Sequence, residues 1–147
     1  QEIRCLAFLN HPASMNAGGL ASALDALMSG FGKRTGFRVT CRVSGEPAPH
    51  DGAASFTLLR IAQEALVNVH RHAHATAVDV RLKRLGNFLG LSIADNGVGM
   101  PSSNELACRG GVGVQGMRFR VEKLGGRFAI TNLEHGTRIT AIVPMAE

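Results

Sequence analysis

The sequence contains neither tryptophan nor tyrosine, so aliphatic side chains and seven phenylalanines must build its core. It has no apolar run of the roughly 20 residues that a membrane-spanning helix needs. Its three cysteines (Cys5, Cys41 and Cys108) are odd in number, widely spaced and not arranged as CxxC. This excludes a disulfide framework and a cysteine zinc site, and it indicates incidental thiols in a reducing compartment.

Acidic residues are also scarce: 11 stand against 16 lysines and arginines, for a net charge of +5. The basic residues are scattered, and no aromatic side chains are interleaved with them for base stacking, so we expect no direct nucleic-acid binding. Binding of a smaller anion, such as a nucleoside triphosphate, explains the surplus of positive charge equally well. The length of 147 residues, 45% hydrophobic, suits one domain with a real core.

Hydrophobic periodicity predicts the secondary structure. Residues 2–9 resemble the end of a helix. We predict helices over 19–33, 53–73 and 117–124, and strands over 37–43, 78–82, 89–93, 128–130 and 139–143. The segment from Asp95 to Gly116 holds six glycines and a proline, which predicts no regular structure there. Hairpins outnumber strand–helix–strand crossovers, so the class is α+β: a two-layer α/β sandwich whose mixed, mostly antiparallel sheet is covered on one face by three helices.

Two polar clusters suit metal and base recognition. Glu64 and Asn68 are four residues apart and share a helix face, where their oxygens could hold a hydrated Mg²⁺. The alternative is an ordinary solvated helix face. Asp95 follows a strand and precedes Gly97 and Gly99, so its carboxylate could accept a hydrogen bond from an amine such as that of adenine. The alternative is a tight turn.

A third cluster is rich in glycine. Gly111, Gly113 and Gly116 open a helix, and glycine amides at a helix N-terminus can cradle an anion. No GK[ST] follows, which excludes a Walker loop, and the position along the chain excludes a dinucleotide-binding fingerprint. The alternative is a flexible linker.

Four sequence motifs follow one another along the chain, and their order is more specific than any one of them: LLRIAQEALVNVHRHAHA, DNGVGM, GGVGVQGMRFRVEKLGG and GTRITAIVP. Together they resemble the ATPase domain of two-component sensor histidine kinases, in particular the subfamily that partners LuxR-type response regulators. The resemblance covers roughly residues 19–145. It implies the Bergerat ATP-binding fold, ATP and Mg²⁺ as cofactors, and phosphotransfer to a histidine.

The resemblance also implies a role for each matching residue. Asn68 corresponds to the Mg²⁺ ligand, and Glu64 to the acid that polarises water in hydrolysing relatives. Asp95 corresponds to the adenine-recognising carboxylate, with Thr137 backing the base through water. The remaining implied nucleotide-binding residues are Arg71, His72, Gly97, Gly99, Met100, Gly111, Gly113, Gly116 and Met117.

Residues 1–18 resemble the end of a dimerisation helix and the joint to the ATPase domain, which then occupies 19–147. The acceptor histidine is expected on a separate dimerisation domain, since His50-Asp51 lies in a Pro/Gly loop and His11 at the joint. We expect a monomeric segment of a homodimeric bacterial kinase, cytoplasmic, with membrane anchoring of the parent left open. Phe119 departs from the family, which usually has an acid between the two arginines.

Other interpretations remain at this point. The chain could be a non-catalytic nucleotide-gated binding module, or another ATPase of the superfamily such as an anti-sigma-factor kinase. His70, His72 and His74 form a short histidine tract, for which a polar helix end is a simpler explanation than a metal site.

Overall fold

The structure is a computed structural model that describes residues 19–45, 52–98 and 111–145. The described residues form three α-helices, one π-helical turn and five strands. In chain order these are α1 (Gly19–Thr35), β1 (Arg38–Ser44), α2 (Ala53–Asn68), the π-turn (Val69–Ala73), β2 (Ala77–Leu85), β3 (Phe88–Asp95), α3 (Gly111–Lys123), β4 (Arg127–Asn132) and β5 (Thr137–Pro144). The predicted order of elements is confirmed.

The strands form one sheet in the order β1-β2-β3-β5-β4. β1 and β2 are parallel and are joined through α2, whereas the other three pairings are antiparallel. Parallel neighbours need a crossover and antiparallel neighbours can be joined by turns, which explains where the helices fall in the sequence. The mixed, mostly antiparallel sheet is therefore confirmed.

One face of the sheet packs against the helices. Alternate residues of each strand point to this face, such as Val78, Val80 and Leu82 of β2, all at most 3% exposed. The helices contribute apolar stripes, with Leu58, Ile61, Ala62, Ala65 and Leu66 of α2 completely buried. A period of 2 in the strands and 3.6 in the helices thus builds a single two-layer core.

Glycines end two elements where the backbone turns into the left-handed region. Gly36 (φ 78°) follows α1, and Gly86 (φ 58°) forms the turn between β2 and β3. The π-turn ends in the same way at His74, a non-glycine residue with φ 51°. A π-helical turn loosens the hydrogen-bond ladder and is frequent at functional sites.

One prediction of secondary structure is wrong. Helix α3 begins at Gly111, although we expected irregular structure as far as Gly116. The predicted helix end at 2–9 and the loop with His50-Asp51 lie outside the described residues. Within the described ranges, no helix is long and apolar enough to cross a membrane.

Candidate functional site

The topology brings the end of α2 and the end of β3 to the same edge of the domain. Asn68 is the last residue of α2, and the short connection 69–76 leads directly into β2. The second residue of β2, Val78, is the register partner of Asp95, the last residue of β3. The chain therefore places Asn68 and Asp95 at the same end of the domain.

Asp95 is a buried carboxylate held by backbone amides. It is 8% exposed, and its Oδ1 accepts a hydrogen bond from the Gly97 N–H at 2.8 Å. A second backbone hydrogen bond comes from Thr137, the buried first residue of β5. Burial raises the pKa of Asp95 above its usual range, and the two amides oppose that rise. The carboxylate is thus fixed in direction before any ligand arrives.

Gly136 lets β5 approach this carboxylate closely. Its φ is 104°, and a Cβ atom built there would overlap the Asp95 carbonyl oxygen and lie 2.9 Å from Oδ1. Only glycine has both the backbone freedom and the absence of a side chain that this position requires. The turn before β5 therefore forms part of the surroundings of this carboxylate, here called the Asp95 wall.

Asn96 fixes the other side of the same wall. Its Oδ1 accepts the backbone N–H groups of Thr76 and Ala77, each at 2.9 Å, and its Nδ2 donates to Thr76 Oγ1 at 2.9 Å. These bonds hold the segment after β3 against the start of β2. The conformation that aims Asp95 is consequently determined from both neighbouring strands.

The last turns of α2, here called the Glu64 wall, lie at the same end of the domain. Glu64 and Asn68 lie on this helix as predicted, and Arg71 follows as an exposed residue of the π-turn. The Asn68 side chain makes no cap hydrogen bond to the π-turn. The carboxylate of Glu64, in contrast, is engaged: its Oε1 lies 2.7 Å from Arg120 Nη1 and 3.6 Å from Arg60 Nε.

Helix α3 carries the predicted glycines Gly111, Gly113 and Gly116. No atom of the described residues lies within 4 Å of a Cβ built at Gly113, and Gly116 leaves room for the Arg120 guanidinium, whose Nη1 would lie 3.6 Å from a Cβ there. Met117, predicted to contact nucleotide, is completely buried and packs into the core. Gly99, Met100 and the side chain of His72 lie outside what the structure describes.

The histidine tract lies in the π-turn and directly after it. No group of three potential metal ligands occurs among the residues that the structure describes. His74 is exposed and left-handed, whereas Nε2 of His70 is buried and has no hydrogen-bond partner within the described ranges.

Three residues of this site were not among the predicted ones: Gly136, Asn96 and Arg120. Gly136 directly precedes Thr137, and a glycine before a strand is typical of a turn, which is the signal in the sequence for Gly136. Asn96 adjoins Asp95 in sequence, and asparagine often bonds to nearby backbone. Nothing in the sequence pairs Arg120 with Glu64, which is 56 residues away. Phe119, which departs from the family pattern, is 66% exposed. Its neighbours make the polar contacts of α3: Arg118 bonds to the Phe128 carbonyl and Arg120 to Glu64.

Residues 53–147 match the family model described as histidine kinase-, DNA gyrase B-, and HSP90-like ATPase. The chain is 34% identical over 145 residues to the sensor histidine kinase MctS of Rhizobium johnstonii, covering 98% of this chain and 32% of that protein. It is 40% identical over 88 residues to UhpB, a signal transduction histidine-protein kinase/phosphatase of Salmonella typhimurium, covering 60% of this chain and 17% of that protein. The chain thus spans a third or less of the length of these curated relatives.

Solved structures show the same fold. A blue-light activated histidine kinase of Erythrobacter litoralis superposes with a TM-score of 0.71 at 21% identity, covering 86% of this chain and 42% of that one. The catalytic domain of histidine kinase ThkA superposes with a TM-score of 0.67 at 15% identity, covering 85% of this chain and 89% of that one. With the fold, the motif order and the family match in agreement, this chain belongs to the histidine kinase-, DNA gyrase B- and HSP90-like ATPase family.

Proposed function

We propose that this chain is the ATP-binding catalytic domain of a sensor histidine kinase, which presents the γ-phosphate of ATP to a histidine on a separate dimerisation domain. The observation that carries the proposal is the buried Asp95 carboxylate, aimed by backbone amides at the same end of the domain as Asn68 and Glu64. The family match and the two relatives named as histidine kinases support it.

Asp95 would select the base. An ionised carboxylate offers about four acceptor positions, and backbone amides occupy two of them here. A remaining position can accept the exocyclic amine of adenine, whereas the carbonyl oxygen of guanine would face a like partial charge. Because the carboxylate is buried, this mismatch would leave a polar group unpaired and would disfavour guanine strongly.

Asn68 and Glu64 would serve the phosphate end. Magnesium prefers oxygen ligands and keeps several waters, so one amide oxygen and a neighbouring carboxylate fit it. Asn68 suits this role because no cap hydrogen bond engages its side chain. Magnesium would neutralise phosphate charge, with Asn68 as its ligand and Glu64 acting through water. Arg71, His72 and the amides of the α3 glycines would add to the neutralisation.

The nucleophile and its base are expected on the dimerisation domain, so this domain positions and polarises the phosphate. The phosphoryl group would then pass to a response regulator, for which we infer the LuxR type from the resemblance. We further infer that residues 1–18 form the joint, that the parent is a bacterial homodimer, and that this domain works in the cytoplasm, where ATP is available.

Titration calorimetry with ATP, with and without Mg²⁺, tests the proposal. We expect Asp95→Asn to abolish ATP binding, and Asn68→Ala to abolish its magnesium-dependent part. Asn87→Ala is the matched amide control, because Asn87 lies in the hairpin turn at the other end of β3. Full ATP affinity in Asp95→Asn, or equal affinity for GTP and ATP in the unmodified domain, would refute the assignment.

A second experiment separates catalysis from a nucleotide-gated binding module. The domain alone should bind ATP without forming phosphohistidine, and adding the dimerisation domain of the parent should restore phosphotransfer. ATP binding with no transfer to any added acceptor domain would favour the module.

A further inference from the structure

The ion pair between Glu64 and Arg120 joins the two helices that flank the phosphate end. Glu64 belongs to α2, one helical turn before Asn68, and Arg120 belongs to α3. Arg120 Nη1 donates to Glu64 Oε1 at 2.7 Å, whereas Arg60 Nε, on the same helix as Glu64, is 3.6 Å from that oxygen. Arg120 is therefore the partner that sets the direction of the carboxylate.

Gly116 makes this reach feasible. It lies one turn before Arg120 on α3, and the guanidinium passes over its bare backbone, with Nη1 3.6 Å from where a Cβ would stand. Side chains on a helix point back towards the preceding turn, so a long residue at 116 would meet the guanidinium. One of the glycines expected to cover phosphate thus also accommodates the ion pair.

We propose that Arg120 is a positioning residue that keeps Glu64 from deprotonating a water that could attack the γ-phosphate, and thereby keeps hydrolysis of bound ATP slow. The inference rests on the proposed function, because it requires ATP at this site. A carboxylate acts as a general base only when it can reach the proton that it removes. With Oε1 drawn towards α3, that oxygen is held in an ion pair and does not reach the attacking water.

Release of Glu64 would allow a balanced hydrolysis step. The water oxygen bonds to the γ-phosphorus while the bond to the β,γ-bridging oxygen breaks. The bridging electron pair remains with ADP, one proton of the water passes to Glu64, and the other remains on inorganic phosphate. Such hydrolysis would consume the phosphoryl group before it reached a histidine, so a restraint on Glu64 favours transfer.

The restraint is partial. The side chains of Arg120 and Glu64 are 36% and 25% exposed, so water screens the pair and the carboxylate is free for part of the time. A pair of this kind changes the free fraction by about 1.4- to 5-fold. We therefore expect Arg120→Gln to raise the rate of ATP hydrolysis by the isolated domain by up to about five-fold, with magnesium and saturating ATP.

Arg118→Gln is the matched control. It removes the same charge from the same helix, but Arg118 Nη1 donates to the Phe128 carbonyl at 3.2 Å and its guanidinium lies 5.2 Å from the Phe128 ring centroid. The Arg118→Gln domain should hydrolyse ATP within about two-fold of the unmodified rate. Both variants lose one positive charge, so a difference between them reports the ion pair with Glu64 and not the net charge of α3. Arg120→Lys, which keeps the charge and loses the planar fork, should give an intermediate rate.

Glu64→Gln provides the decisive combination. If Arg120 acts through Glu64, the double variant Glu64→Gln/Arg120→Gln should hydrolyse ATP no faster than Glu64→Gln alone. A purely structural role would lower stability or ATP affinity but would not raise the hydrolysis rate. Circular dichroism melting and fluorescent-ATP binding on every variant distinguish these readings.

The outcomes separate the two proposals. Absence of ATP binding by the unmodified domain would defeat the proposed function itself. If ATP binds and Arg120→Gln hydrolyses it no faster than Arg118→Gln does, the restraint is refuted while the function stands. Should Arg120→Gln fail to fold, an Arg120→Lys rate equal to that of the unmodified domain would refute the restraint.

Discussion

Replacing Gly136 by alanine tests whether the close approach of β5 shapes the Asp95 wall. A methyl group there would overlap the Asp95 carbonyl oxygen, lie 2.6 Å from the carbonyl carbon and lie 2.9 Å from Oδ1. Real Cβ atoms do not come this close to other atoms, so either the turn or the end of β3 must move. Both movements displace the carboxylate that we expect to recognise adenine.

Two costs add in this variant. A non-glycine residue at φ 104° is strained, by about 1–2 kcal/mol. Forcing an extra carbon into packed surroundings costs about 1–3 kcal/mol more. We expect a loss of about 2–5 kcal/mol in the free energy of unfolding, which for a domain of this size lowers Tm by about 4–20 °C.

Gly86→Ala is the matched control, because Gly86 also has a positive φ (58°) but nothing lies within 4 Å of a Cβ there. Gly86→Ala should lose only the part of the unfolding free energy that comes from backbone strain, about 1 kcal/mol, and should keep its ATP affinity. Urea unfolding and ATP titration on both variants measure the two effects. A Gly136→Ala domain as stable as Gly86→Ala, with unchanged ATP affinity, would show that the turn does not shape the site.

Three further changes test other parts of the site. Asp95→Asn should reduce the pH dependence of stability, because burial raises the pKa of the Asp95 carboxyl in the folded domain. A carboxyl whose folded pKa is raised loses stability as pH rises from its unfolded to its folded pKa, so the unmodified domain should lose stability across that window and Asp95→Asn should not; equal pH dependence of the two domains in urea titrations would contradict it. Gly113→Ala should stabilise α3 by about 0.5–1 kcal/mol, since none of the described residues comes within 4 Å of a Cβ built there; a lower midpoint of urea unfolding would argue against a helix there. Asn96→Ala should lower the free energy of unfolding by about 1–3 kcal/mol, because two backbone N–H groups lose their acceptor. It should also weaken ATP binding; unchanged ATP affinity would show that Asn96 does not orient Asp95.

The main elements of the fold could be predicted because local pattern and tertiary packing agree in most of the chain. Alternation in β2 and β3 matches their buried faces, and Gly86 marks the hairpin. The start of α3 could not be predicted, because each helical glycine costs about 1 kcal/mol and the propensity of this segment opposes a helix. Burial of Met117 and Val121 in the core supplies the stabilisation that the low helix propensity of this segment does not provide.

The candidate site also combines local and long-range features. Asp95 and Asn68 were proposed from motifs whose chemistry is local, a carboxylate after a strand and an amide on a helix face, and their roles remain predictions. The contact of Gly136 with Asp95 depends on which strands pair, and the contact of Arg120 with Glu64 depends on how two helices pack. Neither relation leaves a periodic signal in the sequence, so both required coordinates.

The two walls of the proposed site are held by different kinds of interaction, and we expect this difference to have a functional consequence. The Asp95 wall rests on backbone hydrogen bonds, the Asn96 side chain and the crowded Gly136, all tied to paired strands. The Glu64 wall rests on a half-exposed ion pair to α3, a helix whose first turns contain three glycines. Backbone pairing within a sheet resists local opening, whereas a screened ion pair exchanges readily. Recognition of the base should therefore be almost independent of the state of α3, while the chemistry at the γ-phosphate should follow that helix.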